Sequence, residues 1–125
     1  MKREIKLRAY IRDEGRLLNV NLIDFNDEYV RVWDEYGEDE EEWLFKDCEL
    51  MRYTGMDDVN GKPIYEGDIV KAYRTCKSDL ITFANGSFGI APDYWHSFES
   101  FTDFYGKCEV IGNKFENPEL LEAEK

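Results

Sequence analysis

The chain has 125 residues, of which 42% are hydrophobic and 15% aromatic, and its formal net charge at pH 7 is −12. This composition supplies enough large apolar residues for a core and excludes a largely disordered protein. Because phosphate binding needs cations that displace counterions, the charge argues against a general DNA- or RNA-binding protein. The length predicts one domain over residues 1–125, or two small halves, 1–55 and 56–125, that share a core.

The cysteines and the opening residues indicate the compartment. A basic start with no apolar stretch behind it does not fit a signal peptide, and no apolar run approaches the roughly 20 residues of a membrane span. Cys48, Cys76 and Cys108 are widely spaced and form no C-x-x-C pair. This spacing predicts reduced, partly buried thiols in a cytoplasmic protein and not a disulfide framework or a zinc site.

The first half of the chain predicts a run of β-hairpins. Apolar and basic residues alternate over residues 5–12, which is the period-two pattern of a strand with one buried face. Turn residues at 13–15 and at Asn26-Asp27 separate this strand from the next two. The acidic stretch 34–42 predicts an exposed loop, because so many carboxylates are too polar to bury.

Turn signals also divide the second half. Asn60-Gly61 and Asn85-Gly86 are hairpin dipeptides, and Gly67 is expected to form the turn that leads into a strand from Asp68. Aromatic residues between 94 and 105 recur with helical spacing, which favours a short helix. Asn117-Pro118 followed by acidic residues predicts a short closing helix.

Together these elements predict a mainly β fold. About eight to ten short strands with frequent turns are typical of a small SH3-like barrel or a β-sandwich. Two fused small β-barrels are an alternative, although no residue-level repeat indicates a duplication. One or two short helical turns are expected near the carboxyl terminus.

No motif in the sequence predicts catalysis, cofactor binding or a metal site. His96 is the only histidine, which excludes any site that needs two imidazoles. An EF-hand loop with Gly61 at its sixth position would start at Met56 and end at Gly67, and neither residue can supply the ligand. We therefore expect no catalytic, cofactor-binding or metal-binding residues and no cofactor.

Charge is unevenly distributed along the chain. Nine carboxylates lie in the sixteen residues from Asp34 to Glu49, against Lys46 alone. This run is either a solvated loop that blunts a strand edge or a surface for a basic partner. The first sixteen residues are basic instead, with a net charge of +3 from six cations and three acids. Such asymmetry could dock one subunit onto another, or be neutralised within one chain.

Two groups of residues are candidates for an interaction surface. The first is the basic stripe of the opening strand, formed by Lys6, Arg8 and Arg12. The second is an aromatic cluster that could stack on a partner or belong to the core. Its members are Tyr94, Trp95, Phe98, Phe101 and Tyr105.

Three segments in order resemble one known family. Residues 51–70, with the sequence MRYTGMDDVNGKPIYEGDIV, resemble the central signature of YopX-like phage and prophage proteins. Residues 85–90 and 109–121 are similar to the later motifs of that family, and residues 3–10 to its start. The resemblance implies a β-rich, homo-oligomeric protein of a phage or prophage that acts in the bacterial cytoplasm. It brings no established activity and no catalytic residues.

The sequence leaves three hypotheses open. The first is a non-enzymatic phage accessory protein that binds protein, most simply another copy of itself, or else a host or phage protein. The second is a nucleic-acid-associated module that uses the basic stripe, although nucleic acid is not an expected partner of so acidic a chain. The third is an enzyme with paired carboxylates, which would need two acids with raised pKa values in one pocket. No membrane association is expected.

Overall fold

Antiparallel strands make up most of the described chain. A computed structural model describes residues 6–72, 78–84, 86–90, 99–100 and 108–122. The chain divides into two compact units, Met1–Tyr53 and Thr54–Lys125, which are described separately below as unit 1 and unit 2. The expectation of one domain whose halves meet after residue 55 stays a prediction.

Unit 1 is a series of strands joined by short turns. The strands are β1 Leu7–Ile11, β2 Arg16–Asp24, β3 Tyr29–Trp33, β4 Glu40–Leu44 and β5 Cys48–Asp57, which continues into unit 2. Their hydrogen-bonded order is β4-β3-β2-β1-β5, and the neighbouring strands are antiparallel. A 3₁₀ turn, Phe45–Asp47, joins β4 to β5.

Alternate residues of these strands form the core of unit 1. Ala9 and Ile11 on β1, together with Val30 and Val32 on β3, are fully buried. The alternation predicted over residues 5–12 is therefore confirmed for Ala9 and Ile11. It is wrong for Arg8, which was expected on an exposed basic stripe but is only 8% exposed. Because neighbouring residues of a strand point to opposite faces, β1 is covered on both faces at this point.

The turn between β2 and β3 is longer than the sequence indicates. Asp24 pairs with Tyr29, so residues 25–28 form the turn and not Asn26-Asp27 alone. The Asp24 carboxylate accepts a hydrogen bond of 2.9 Å from the N–H of Asp27. Among the described residues, Glu28 is the one non-glycine with a positive φ, at 54°. The left-handed conformation thus falls on a residue that does not favour it.

Unit 2 contains the end of β5 and a second antiparallel sheet. Its strands are β6 Pro63–Tyr65, β7 Asp68–Ala72, β8 Ser78–Ala84, β9 Ser87–Ile90, β10 Glu99–Ser100 and β11 Cys108–Asn113. β6 lies beside β5, and the second sheet has the order β10-β9-β8-β7-β11. Its core consists of Ile64, Val70, Ile81, Ile90, Cys108 and Val110.

A tight corner leads from β6 into β7. The Asp68 carboxylate, 1% exposed, accepts a hydrogen bond of 2.8 Å from the N–H of Tyr65. Gly67 has a φ of 91°, which only glycine adopts without strain, and Ile69 is fully buried. The predicted turn at Gly67 is confirmed, and the corner explains the buried carboxylate as a structural group.

The remaining predictions near the carboxyl terminus have mixed outcomes. Ala84 pairs with Ser87, which confirms that β8 and β9 form an antiparallel hairpin with two residues between them. The closing helix is present as α1, Glu119–Glu122. Only Glu99–Ser100 is described in the stretch expected to be helical, and it forms β10. A helix through these two residues is therefore ruled out, and the other residues of that stretch lie outside the described part.

The mainly β fold class with a short carboxyl-terminal helical turn is confirmed. Each sheet has two ends in its strand order, so the described strands form open sheets and give no support to barrel closure. In the part of the chain that the structure describes, no helix is long and apolar enough to cross a membrane.

Candidate protein-interaction surface

Arg16, the first residue of β2, binds carboxylates from three separate segments of unit 1. Its Nη1 lies 2.6 Å from Oε1 of Glu14 in the preceding turn. Its Nη2 lies 2.8 Å from Oε1 of Glu35, in the loop after β3, and 2.7 Å from Oε2 of Glu41 on β4. Charge-assisted bonds of this kind are stronger than neutral ones and fix the geometry of both partners. Arg16 therefore holds the turn, the loop and the strand together.

The guanidinium of Arg16 changes the acidity of its partners. Its hydrogen bonds to Glu35 lower the pKa of that carboxyl from 4.5 to about 2. The bond to Arg16 likewise lowers the pKa of Glu41, against the opposing effect of burial. Both groups are therefore ionised at neutral pH, and the pKa of Arg16 is itself raised by these three carboxylates.

The loop between β3 and β4 is closed by its first residue. Oδ1 of Asp34 accepts hydrogen bonds from the N–H groups of Tyr36, at 3.0 Å, and Glu38, at 2.9 Å. The N–H of Asp34 donates to the carbonyl of Asp39 at 2.8 Å. The bond from Glu38 is the main reason why the pKa of Asp34 is lowered. These bonds define the path of the loop, which ends at Asp39.

The predicted acidic loop is therefore shorter than expected. Glu40, Glu41 and Glu42 belong to β4, where they pair with Trp33, Val32 and Arg31 on β3. The expectation of a loop as far as residue 42 is wrong, because these acids pair with β3 and form a strand, on which Glu40 and Glu42 are exposed and Glu41 is half-buried. Nη2 of Arg31 lies 2.9 Å from Oε2 of Glu42, and its Nε lies 3.9 Å from Oε2 of Glu40.

We call residues 34–42 the acidic edge. The segment contains seven carboxylates and no cation. With Glu14 there are eight carboxylates, and the described ion pairs of this group involve two guanidinium groups, those of Arg16 and Arg31. A large negative charge therefore remains on the surface, and such a field attracts basic molecules.

Apolar side chains lie exposed within and beside the acidic edge. Tyr36 in the loop is 82% exposed, Leu44 at the end of β4 is 45% exposed, and Trp33 at the end of β3 is 38% exposed. Tyrosine and tryptophan are enriched at protein interfaces, and their rings also bind cations. The combination of carboxylates and exposed rings is suited to lysine- or arginine-containing segments.

The basic stripe proposed from the sequence is not a continuous surface in the structure. Nζ of Lys6 lies 5.2 Å from the ring centroid of Tyr53, and Arg8 is buried. Arg12 is exposed, but its Nη1 binds Oε1 of Glu49 at 2.6 Å. The three cations thus have different surroundings: Lys6 lies near an aromatic ring, Arg8 is buried and Arg12 forms an ion pair. The other predicted site residues, Tyr94, Trp95, Phe98, Phe101 and Tyr105, lie outside the described residues.

The chain matches the family described as YopX protein over residues 6–122. The chain belongs to the YopX protein family. Among curated proteins, none has significant sequence similarity to it.

Two solved structures extend the likeness of this YopX family member. Protein EF1440 from Enterococcus faecalis is 28% identical, with a TM-score of 0.65 over 96% of this chain and 99% of that one. Protein yopX from Bacillus subtilis is 20% identical, with a TM-score of 0.60 over 93% of this chain and 97% of that one. At this identity the second likeness concerns the fold alone.

One structurally important residue of this YopX chain, Asp58, was not identified from the sequence. Asp58 is 6% exposed, and its Oδ1 accepts hydrogen bonds from the N–H groups of Asn60, at 2.8 Å, and Lys62, at 2.9 Å. Its Oδ2 accepts one from Val110 at 2.9 Å. Burial raises the pKa of Asp58, but these three donors outweigh it and lower the pKa overall. The Asp-x-Asn-Gly order was the available signal for the local part of this arrangement.

The described cysteines are free and buried, as the sequence predicts. Burial raises the pKa of Cys48 and, aided by the charge of Asp58, raises that of Cys108 to about 11. Both are therefore protonated thiols at neutral pH and poor nucleophiles. Cys76 lies outside the described residues.

Proposed function

We propose that this YopX family member is a phage or prophage accessory protein that acts in the bacterial cytoplasm by binding a basic protein at its acidic edge. The observation that carries the proposal is the arrangement around Arg16, which fixes Glu14, Glu35 and Glu41 in one place. A charged surface held in one geometry loses less conformational freedom when a partner binds than a mobile tail does. The acidic edge is therefore prepared for recognition.

The chemistry of the acidic edge favours a basic protein over nucleic acid. Its excess carboxylates repel phosphate, and neutralising phosphates requires accessible lysine or arginine side chains. In the basic stripe, Arg8 is buried and Arg12 binds Glu49. Exposed Tyr36 and Trp33 add apolar contact area for aliphatic and cationic side chains.

A second copy of this chain is a poor partner for the acidic edge. Two such edges brought together would place carboxylates against carboxylates, and the repulsion between like charges increases as the distance between them decreases. A homo-oligomer, as suggested by the family resemblance, would therefore use a different surface. The proposed partner of the acidic edge is a host or phage protein with a basic segment.

The proposal includes no catalytic step. Asp34, Glu35, Glu41 and Asp58 all have lowered pKa values. A carboxyl group that acts as a general acid near neutral pH needs a raised pKa. These four acids thus favour charge presentation over proton transfer.

The test is a binding titration with fluorescently labelled peptides followed by anisotropy. We expect a lysine-rich peptide to bind, a glutamate-rich peptide not to bind, and the affinity to fall as salt is raised. The variant Glu40→Gln/Glu42→Gln should bind about three- to tenfold more weakly, since exposed charge pairs contribute modestly.

The matched control is Asp13→Asn/Asp27→Asn, which neutralises two exposed acids outside the acidic edge. This control should keep the native affinity. Equal loss in both double variants would show that total charge, and not the acidic edge, attracts the peptide. No binding of the lysine-rich peptide even at low salt would overturn the proposed function.

A further inference from the structure

The side of β4 that faces away from β3 is an open sheet edge. β4 stands at the end of its sheet, and within unit 1 no described strand pairs with its outer side. In an antiparallel pair, alternate residues of an edge strand direct their N–H and C=O groups outward. β4 therefore presents a row of backbone hydrogen-bonding groups to solvent.

The corresponding edge in unit 2 is occupied. β11 ends the second sheet, and the N–H of Val110 on it donates to Asp58 at 2.9 Å. The carbonyl of Cys108 on the same strand accepts a hydrogen bond of 3.1 Å from the N–H of Val59. The chain thus closes this edge with its own turn, as proteins commonly do to prevent unwanted pairing. On the outer side of β4, the thiol of Cys48 donates to the carbonyl of Leu44 at 3.5 Å, and no described strand of unit 1 pairs with the rest of it.

The side chains of β4 limit which strand could join it. Glu40, Glu42 and Leu44 alternate on the exposed face, whereas Glu41 and Trp43 are half-buried. Like charges opposite each other destabilise a strand pair, and opposite charges stabilise it. The glutamates therefore exclude a second copy of β4 but admit a basic strand.

We propose that the partner of this protein binds by adding an extended strand to the outer edge of β4. This inference rests on the proposed function, because it specifies how a basic partner would engage the acidic edge. Addition of a peptide strand to a sheet edge is a known mode of recognition, in which backbone bonds supply affinity and alternate side chains supply specificity.

The register of β4 defines the sequence of the partner strand. Residues that lie opposite Glu40 and Glu42 are two apart on the added strand, so both are lysine or arginine. The next residue of the added strand with the same orientation lies opposite Leu44, which is 45% exposed. We expect this residue of the partner to be apolar. The partner segment thus has basic residues at two alternate positions and an apolar residue at the third.

The test uses two peptides with the same composition and different order. One alternates lysine with valine, and the other groups its lysines at one end, so that total charge is equal. Amide hydrogen exchange of the protein is followed by NMR with each peptide and without peptide. We expect the alternating peptide to slow exchange of the outward amides in residues 40–44 by about tenfold or more, because exchange slows with the free energy of opening.

The possible results separate the two proposals. Slowed exchange on β4 with the alternating peptide alone supports strand addition. If both peptides bind with equal affinity and leave the β4 amides unchanged, the acidic edge binds basic segments but strand addition is overturned. If neither peptide binds, the proposed function fails and strand addition fails with it. At the same peptide concentration, the Glu40→Gln/Glu42→Gln variant should show weaker protection of these amides than the native protein, whereas Asp13→Asn/Asp27→Asn should match the native protein.

Discussion

The carboxylate of Asp58 accepts a hydrogen bond of 2.9 Å from the N–H of Val110, a residue 52 positions later in the chain. The same carboxylate closes the turn at residues 58–62 through Asn60 and Lys62. One buried side chain therefore joins a local turn to the edge strand of a sheet. This is a structural role for an acid that lies within the most recognisable segment of the sequence.

Replacing Asp58 should destabilise unit 2. In Asp58→Asn the amide NH₂ would face at least one of the N–H groups that the carboxylate now binds. An unsatisfied buried donor costs about 1–3 kcal/mol, so we expect a loss of this size in the free energy of unfolding. Urea denaturation measures it, and Glu119→Gln, at an exposed position of α1, is the control with the same charge change. Equal stability of the two variants would contradict the role of Asp58.

The contribution of Asp58 should depend on pH. In the folded state its pKa is below the ordinary value of 3.8, so the unfolded chain holds the proton more tightly. The stabilisation is therefore complete above about pH 5 and is lost as the pH falls through the folded-state pKa. We expect the stability difference between the native protein and Asp58→Asn to narrow below about pH 4. A difference that stayed constant down to about pH 2 would contradict this.

The ion pairs of Arg16 predict a change in the titration of Glu35. In Arg16→Gln the pKa of Glu35 should rise from about 2 towards its ordinary value of 4.5, since the guanidinium bonds that lower it are gone. Carbon-detected NMR of the side-chain carboxyl group measures this pKa directly. Arg31→Gln is the matched control, because the ion pairs of Arg31 are with Glu40 and Glu42. The pKa of Glu35 should not move in that variant.

The positive φ of Glu28 predicts a stabilising substitution. A left-handed conformation costs a non-glycine residue about 1–2 kcal/mol, and glycine avoids this cost but loses more chain entropy on folding. We expect Glu28→Gly to raise the free energy of unfolding by about 0.5–1 kcal/mol. Asp27→Gly removes the same charge at a position without a positive φ and should not stabilise. Thermal unfolding of both variants decides the matter.

Local sequence signals predicted much of the fold. The burial of Ala9 and Ile11 on β1, the Gly67 corner and the hairpin of β8 with β9 depend on neighbouring residues, and the sequence therefore shows them directly. The first three residues of β4, Glu40–Glu42, were assigned to a loop because their polarity resembles that of a loop. Their strand conformation comes from pairing of Val32 with Glu41 and its neighbours, a contact that composition does not encode.

The sequence identified the charges of the candidate site but not the contacts between them, because those contacts join residues far apart in the chain. The charge distribution identified the acidic run from Asp34 to Glu49. The same distribution placed Arg16 in a separate, basic amino-terminal segment. The bonds from Arg16 to Glu35 and Glu41 span 19 and 25 residues, so only the folded chain brings these groups together. The exposed basic stripe was predicted by strict alternation, which fails where a strand such as β1 is covered on both faces, as at Arg8.

Charge reversal at the acidic edge tests the central claim most directly. In Glu40→Lys/Glu42→Lys, two acids of β4 become cations, and binding is measured with the alternating lysine–valine peptide and with its glutamate–valine counterpart. We predict that the native protein binds the lysine peptide and the variant binds the glutamate peptide, each with little affinity for the other. If the folded variant still bound the lysine peptide as tightly as the native protein does, the acidic edge would not be the binding surface.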